Sequence, residues 1–289
     1  MTVESIALQC ERAVPAFLGE YLTGHDMVAA PALWWERFGG PYYRVERGCR
    51  KAGADKGEWV RHLAQQAAGK ASWRPALERQ ACRIANIARS AGPTARVFDL
   101  RLRTRLALGL GLSHPTENGM LFHPTLGCPY IPGSSLKGLT QAFADEWLRK
   151  IGKEAGEEGR RISLRIFGQS ERLRGEARYD EGETRRGSVI FFDAVPLTWP
   201  KIGVDIMTPH IGKYLTGDEN VADTIATTPI YFASVAPGAT FQFAVAPAYP
   251  VTGCDDGWSD CALAAGWLEC ALKKVGAGAK TKSDYGRFE

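Results

Sequence analysis

The sequence predicts an α+β fold built on an antiparallel sheet, and three observations support this prediction. Apolar residues recur at helical spacing between residues 59 and 90. The period changes to two just after Gly92 and Pro93, where a strand is expected to begin. Segments typical of strands and helices then alternate as far as residue 289. We therefore expect a mainly helical N-terminal extension over residues 1–95 and one sheet domain over residues 96–289.

Composition limits the class of protein. With 289 residues, of which 45% are hydrophobic, the chain can bury a real core. No stretch has the length and apolarity of a signal peptide or a membrane span, so we expect a cytoplasmic protein without a membrane partner. The seven cysteines contain no C-x-x-C pair and indicate reduced thiols. A net charge of +4 favours nucleic-acid binding only if the excess is concentrated locally.

The first strand of the sheet domain has two unlike faces. Its apolar face carries Phe98, Leu100, Leu102, Leu106 and Leu108, and its polar face carries Asp99, Arg101, Arg103 and Arg105. This alternation is typical of a half-buried strand with a cationic outer face. Such a face can bind nucleic acid or can simply be solvated, and the pattern alone leaves both open.

A loop over residues 130–138, here called the first loop, leads into a predicted helix. Leu136, Leu139, Phe143 and Trp147 follow at helical spacing, with Ser134 or Ser135 as a suitable N-cap. The amides, serine hydroxyls and dipole of a helix start can hold a phosphate, here together with Lys137. An ordinary turn with a serine cap is the structural alternative.

Two later segments are predicted to be insertions, near residues 152–187 and 203–228. Residues 160–187 contain eight arginines and are typical of a long charged loop that is either solvated or in contact with nucleic acid. A strand is expected over residues 188–194. Residues 205–223 combine proline, glycine and mixed polarity, which favours a protruding loop.

The last third of the chain predicts a hairpin, a helix and a glycine-rich loop. The hairpin would pair residues 229–235 with residues 240–245 through a turn at Pro237 and Gly238. A helix follows over residues 258–274. The glycine-rich loop, residues 276–282, offers backbone amides and cations to a polyanion. From residue 96 the order is therefore close to β-α-β-β-α-β, a ferredoxin-like or RRM-like antiparallel sheet with loop insertions.

Four ordered segments, residues 130–138, 187–194, 205–210 and 276–281, resemble motifs of the RAMP superfamily of CRISPR proteins. The likeness covers roughly residues 96–289 and is closest to subunit six of the type III-B Cmr complex. The motif-matched candidates for RNA binding are Gly133, Ser134, Ser135, Lys137, Gly276, Gly278, Lys280 and Thr281, and we add Lys282 from its charge. Asp284 departs from the family pattern, so Arg287 beyond it is expected to serve packing.

The resemblance implies a non-catalytic RNA-binding subunit of an RNA-guided effector that acts in antiviral defence against invading RNA. Its partners would be guide (CRISPR) RNA, target RNA and other RAMP subunits, and it would cap the head of the complex near the 3′ portion of the guide RNA. No cofactor, metal or catalytic residue is expected.

Two alternatives are open. His114 or His123, with Glu117 between them, could act as a general base in metal-independent processing of guide RNA. Alternatively, the basic surfaces could bind acidic protein neighbours without touching RNA.

Overall fold

The computed structural model describes residues 35, 43–46, 49–52, 56–67, 74–114, 116–151, 156–168, 186–208, 229–249 and 260–289. Its helices are α1 (Lys56–Ala67), α2 (Arg74–Ser90), α3 (Gly133–Ile151), α4 (Gly156–Phe167) and α5 (Asp260–Lys274). Its strands are β1 (Tyr43–Glu46), β2 (Cys49–Ala52), β3 (Arg96–Arg101), β4 (Val189–Phe191), β5 (Val195–Pro196), β6 (Ile202–Met207), β7 (Ile230–Val235) and β8 (Thr240–Pro247). All strand pairs are antiparallel, so the predicted α+β class is confirmed.

The chain divides into two compact units that interleave along the sequence. The first unit comprises Met1–Lys70, Ala107–Pro129 and Pro200–Val235, and the second comprises Ala71–Leu106, Tyr130–Trp199 and Ala236–Glu289. Helix α2 thus groups with the sheet that contains β3. The domain boundary expected at residue 95 remains a prediction.

The sheet of the second unit is centred on β8. Strand β3 pairs with one side of β8, with Phe98 opposite Phe243, and β4 and β5 pair with the other side. The C-terminal segment lies on the free side of β3, where Leu102 bridges to Phe288. The spatial order is therefore C-terminal segment, β3, β8, β4.

Helices cover both faces of this sheet. Strand β8 is buried on both faces, with Phe241 and Phe243 on one and Ala244 and Ala246 on the other. Helix α5 contacts β8, β3 and β4, whereas α2 contacts β8, β5 and β3. Helix α3 packs against α4 and α5. Both helices contact β8, which is buried on both sides, and they do not pack extensively on each other, so we assign them to opposite faces.

In the first unit, α1 packs on the antiparallel pair β6 and β7. Gly57 makes this packing close, because a Cβ there would lie 3.0 Å from the ring of Tyr231. Lys56 forms an ion pair with Glu117. None of the described helices has the length and apolarity to cross a membrane.

Helices α1 and α2 confirm the helical prediction over residues 59–67 and 74–90, and residues 68–73 lie outside the described residues. Strands β1 and β2 were not predicted, and they pair with each other within the N-terminal extension that was expected to be mainly helical. Alternation in the first strand is confirmed by burial of Leu100, Leu102, Leu106 and Leu108, although β3 itself ends at Arg101.

Two loop predictions are wrong in part. Residues 160–167 are helical, because Ile166 and Phe167 pack inward while Arg160, Arg161 and Arg165 stay exposed on the other side of α4. Residues 203–207 belong to β6, which pairs with the neighbouring antiparallel strand β7. Residues 169–185 and 209–228 lie outside the described residues.

The predicted hairpin is also wrong. Pro237 and Gly238 do form a turn, with φ of +96° at Gly238, yet the strands on either side join different sheets. Strand β7 pairs with β6, and β8 pairs with β3, β4 and β5. The Gly238 N–H donates to the Leu102 carbonyl at 2.7 Å, so the turn is held by β3's extension.

Candidate nucleic-acid interface

The first loop enters α3 through a tight contact with the end of β4 and the residues just after it. Helix α3 begins at Gly133, and the Pro132 carbonyl accepts from the N–H groups of Ser135 and Leu136 at 2.9 and 3.1 Å. Pro132 is therefore the N-cap, and the prediction of Ser134 or Ser135 in that role is wrong. Both serines lie in the first turn with exposed side chains.

A carboxylate from a distant part of the chain caps this helix start. The Gly133 N–H donates to Asp193 Oδ1 at 2.7 Å. Negative charge is favourable at a helix N-terminus, so this contact stabilises α3. It also places an anion where the sequence predicted a phosphate. Burial raises the pKa of the Tyr130 hydroxyl, and the charge of Asp193 raises it further.

Gly133 allows this approach. A Cβ there would lie 2.2 Å from the Phe191 carbonyl oxygen, and the neighbouring Ile131 and Ala194 form a backbone bridge. Gly133 is buried, so it supplies close packing, while Ser134, Ser135 and the half-buried Lys137 present polar groups outward. Gly138 is exposed, and a Cβ on it would meet no other atom within 4 Å.

The glycine-rich loop begins where α5 ends. The N–H groups of Val275 and Gly276 both donate to the Ala271 carbonyl, at 2.8 and 2.9 Å, which terminates the helix. Gly276 and Gly278 have φ values of +90° and +80°, a region that favours glycine. Gly276 is buried, whereas Gly278 is exposed.

The loop then closes on itself. The Ala277 N–H donates to the Gly286 carbonyl at 2.8 Å, and a Cβ on Gly286 would lie 1.8 Å from the Ala277 oxygen. Lys280 has φ of +60°, and its carbonyl accepts from Ser283 and Tyr285. Thus backbone hydrogen bonds fix a narrow turn, from which the polar side chains emerge.

The cations of this loop differ in exposure. Lys280 and Thr281 are half-buried, and Lys282 is exposed. Arg287 pairs with Asp284 at 2.6 Å and donates to the Lys274 carbonyl. Arg287 therefore holds the end of α5, in agreement with the packing role expected for it. Asp284 takes φ of +64°, so it meets the left-handed geometry that the position requires.

The two loops lie at the same edge of the second unit's sheet. Strand β3 ends where β8 begins, with Arg101 opposite Thr240, and the short strand β5, which directly follows Ala194, pairs with Gln242 and Phe241 near the same end of β8. We call this the loop edge. The first loop joins it through Ala194, just beyond β4, and the glycine-rich loop joins it through Arg105, whose carbonyl accepts from Gly286 N–H at 2.7 Å. Strands β3 and β4 are separated by β8 alone, and hence by about 10 Å.

Two arginines that were not among the predicted site residues lie beside the glycine-rich loop. The Arg103 N–H donates to the Arg287 carbonyl at 2.8 Å, and Arg105 accepts from Gly286 as above. The side chains of Arg103 and Arg105 are exposed. The period-two spacing of Arg103 and Arg105 in the sequence predicted that their side chains would be exposed. No local pattern signalled that the C-terminal segment would pair with this stretch.

The histidines raised as a possible catalytic pair are engaged in local structure. The His114 ring stacks on Trp35 with 4.2 Å between centroids, its Nε2 lies 3.1 Å from the Trp35 carbonyl, and its Nδ1 lies 2.7 Å from Thr116 Oγ1. His123 Nδ1 accepts from the N–H groups of Thr125 and Leu126. Both rings thus organise turns.

Other candidate positions do not form a further site. Arg186 is exposed and lies over the Tyr249 ring at 5.8 Å, and Arg185 is outside the described residues. In the described ranges, no three His, Cys, Asp or Glu side chains are grouped so that they could hold a metal ion.

Comparison with known proteins identifies the family. The sequence model of the RAMP superfamily matches residues 99–289. The chain is 28% identical over 231 residues to the CRISPR system Cmr subunit Cmr6 of Pyrococcus furiosus, covering 65% of this chain and 66% of that protein. It is 29% identical over 154 residues to Cmr6 of Saccharolobus solfataricus, covering 51% of this chain and 44% of that protein.

The aligned part thus spans just under two-thirds of the first relative and under half of the second. In fold, the chain is similar to a chain of the type III-B Cmr-beta complex bound to cognate target RNA. The TM-score is 0.53 at 18% identity, with coverage of 99% of this chain and 89% of that one. Because the family model matches residues 99–289, well over half of the chain, the chain belongs to the RAMP superfamily.

Proposed function

We propose that this chain is an RNA-binding, non-catalytic subunit of a type III-B CRISPR (Cmr) effector complex. It binds guide RNA, meets target RNA, and assembles with other RAMP subunits in the cytoplasm. In that complex it caps the head near the 3′ portion of the guide RNA. The similarity to two Cmr6 proteins supports the choice of complex.

The arrangement of the second unit supports a ferredoxin-like, RRM-like fold. When β3, β4, β8 and the C-terminal segment are numbered one to four along the chain, their order across the sheet is four, one, three, two. The short strand β5, which also pairs with β8, is left out of this numbering. Helix α3 lies between the first and second strands in sequence, and α5 lies between the third and fourth. The split β-α-β arrangement of many RNA-binding domains has the same order, which supports the proposed fold.

The observation that carries the proposal is the meeting of both family loops at the loop edge. Lys137 and Lys280 come from segments about 140 residues apart, yet each belongs to a loop that joins the same end of the sheet. Exposed serine hydroxyls and Lys282 add donors and charge. Phosphates of one RNA strand would contact both loops, since the strands that the loops join lie on either side of β8.

The test is RNA binding by the full chain carrying Lys137→Ala and Lys280→Ala together. We expect weaker binding to a labelled single-stranded guide RNA. The slope of log affinity against log salt should fall by about 0.7 for each phosphate that the variant no longer neutralises. The matched control is Lys150→Ala with Lys201→Ala, which removes two exposed lysines elsewhere.

Unchanged affinity and salt slope in the loop variant, together with failed assembly, would contradict RNA binding at these loops and favour a protein-interaction role. Equal losses in the loop variant and the control would show only a general charge effect, and would equally contradict a site at the loop edge.

The non-catalytic part of the proposal is supported by the engagement of His114 and His123 in local hydrogen bonds. We expect no cleavage when the purified chain is incubated with labelled guide precursor in the presence of a chelator. Cleavage that His114→Ala abolishes would instead establish metal-independent processing.

A further inference from the structure

We infer that the exposed face of α2 is a second RNA-binding surface, which continues the loop-edge site along the outside of the sheet. The surface consists of Arg79, Arg83 and Asn86, and we call it the α2 strip. It takes the phosphate backbone of single-stranded RNA. The inference rests on the proposed function, since it extends the same RNA path beyond the two loops.

The pattern of α2 separates a core face from the strip. Leu77, Ala81, Ile84, Ala85 and Ala88 are buried. At 100° per residue, Arg79, Arg83 and Asn86 lie within about 60° of one another on the opposite side of the helix. All three are exposed. The two arginines are one turn apart, about 6 Å along the axis.

The strip carries uncompensated positive charge. Helix α2 contains a single carboxylate, Glu78, which pairs with Arg74 at 2.7 Å. Among the described residues, neither Arg79 nor Arg83 has a carboxylate partner. An arginine that only solvates a surface is commonly paired at i+4 when an acid is available, but here the position four residues after Arg79 is another arginine. Two adjacent like charges repel in the free protein, and a polyanion relieves that repulsion.

Helix α2 covers the sheet face that RRM-like domains commonly use for RNA. The helix buries mainly alanines toward the sheet, so the two can approach closely. Bases therefore cannot stack on this part of β8. A strand of RNA that follows the same side of the unit meets the outer surface of α2 instead.

The helix also brings the strip toward the loop edge. Gly92, just after α2, lies against Pro247 at the end of β8, with 3.1 Å between a Cβ position and the proline ring. Farther along, α2 contacts β5, which pairs with Phe241 and Gln242 near the start of β8. The C-terminus of α2 therefore lies at the end of the sheet opposite the loop edge, and its N-terminus lies toward the loop edge.

The lengths agree with this direction. From Ser90 back to Arg79 the helix rises about 17 Å. From Arg96 to Arg101, β3 extends about 17 Å. Helix α2 therefore carries Arg79 toward the end of the sheet at which β3 ends, and exposed Arg103 and Arg105 follow β3 there. All of these cations belong to the second unit.

The experiment compares Arg79→Gln/Arg83→Gln with a control, Arg74→Gln/Arg149→Gln, in the full chain. Both remove two exposed arginines, and the control leaves the strip intact. Labelled oligouridine is titrated at several salt concentrations. We expect the strip variant to lose affinity roughly three- to tenfold and its salt slope to fall by about 1.4, while the control stays near wild type. The variant Arg79→Lys/Arg83→Lys should keep the wild-type slope, because lysine retains the charge.

The outcomes separate the inference from the proposed function. If the strip variant binds like wild type while Lys137→Ala/Lys280→Ala weakens binding, the strip is not an RNA surface and the proposed function stands. If the wild-type chain does not bind RNA, both fail. If the strip variant keeps its RNA affinity but no longer joins its partner subunits, the strip binds an acidic protein surface, and the inference is overturned.

Discussion

At the residue scale, the two glycines of the first loop have different roles although they belong to one motif. Gly133 is required by contact, because a Cβ there would overlap the Phe191 carbonyl oxygen at 2.2 Å. Gly138 has open space around its Cβ position and lies exposed inside α3. Only the first is a packing constraint. The second lowers helix propensity without any compensating contact in the described structure.

We expect Gly133→Ala to lower the free energy of unfolding by about 2 kcal/mol or more, because strand or helix must shift to accept the methyl group. Gly138→Ala is the matched control and should raise it by about 0.5–1 kcal/mol. Chemical denaturation of the two variants measures both values. Equal destabilisation by both would contradict the assigned packing.

His114 gives the first unit a pH-dependent stability. Burial lowers the pKa of His114 below its ordinary value of 6.5, and the hydrogen bond to the Trp35 carbonyl opposes this in part. The unfolded chain therefore binds more protons than the folded chain as the pH falls through 6.5. This contribution to stability is present above the unfolded pKa and is lost as the pH falls toward the folded one.

We expect the thermal unfolding midpoint to fall between about pH 7.5 and pH 5 for the wild-type chain. The fall should be smaller for His114→Asn, which is also less stable at every pH because it loses the stacking on Trp35. The readout is the difference between the wild-type chain and His114→Asn in the slope of the unfolding midpoint against pH. Parallel curves would show that other groups cause the pH dependence.

At the scale of elements, one carboxylate joins three segments of the second unit. Asp260, the first residue of α5, accepts from Arg165 Nη2 on α4 at 2.8 Å and from Ser188 Oγ at 2.7 Å. The Ser188 N–H in turn donates to the Arg165 carbonyl at 2.8 Å. Gly187 permits this approach, since a Cβ there would lie 2.4 Å from the Ile166 carbonyl. The second family motif therefore has a structural role at its start.

We expect Asp260→Ala to lower the free energy of unfolding by about 1–2 kcal/mol, because it leaves the Ser188 hydroxyl without this acceptor and removes negative charge from the start of α5. Glu269→Ala is the control. It breaks only an exposed pair with Lys273 four residues on, and should cost less than about 0.5 kcal/mol. A similar loss of unfolding free energy in both variants would show that Asp260 contributes no more to stability than an ordinary surface charge.

At the scale of the whole molecule, the proposed function concerns the end of a larger assembly. We expect a Cmr-type complex reconstituted without this chain to assemble its remaining subunits but to leave the 3′ portion of the guide RNA open to nuclease. Nuclease footprinting of the complex with and without the chain measures this. Full protection in its absence would contradict the capping role.

Features that depend on nearby residues could be predicted from the sequence, whereas features that depend on distant residues could not. Helices α2, α3 and α5 were predictable because each carries several turns of helical periodicity. The first half of α4 was hidden by its exposed arginines. Strand β7 was paired with the wrong neighbour because a proline-glycine turn is a local signal, whereas the true partner β6 is set by the fold.

The same limit applies to the candidate site. Motif spacing identified both loops, since glycine, serine and lysine act locally there. It could not show that Asp193, 60 residues beyond Gly133, would place its carboxylate at the start of α3. Nor could it show that α2 would cover the face of β8, because that requires knowing which surfaces meet.

The Asp193 carboxylate makes the first loop a site already occupied by an internal anion. Any phosphate that approaches Gly133 competes with an acceptor at 2.7 Å that is tethered to the protein and has an effective concentration no free ion can match. We therefore expect a lone phosphate or mononucleotide to bind at this helix start only weakly. Under the proposed function, a polymer held at the same time by Lys280 and its neighbours displaces the carboxylate or binds beside it, so we expect the loop to favour longer chains over mononucleotides before any base is read.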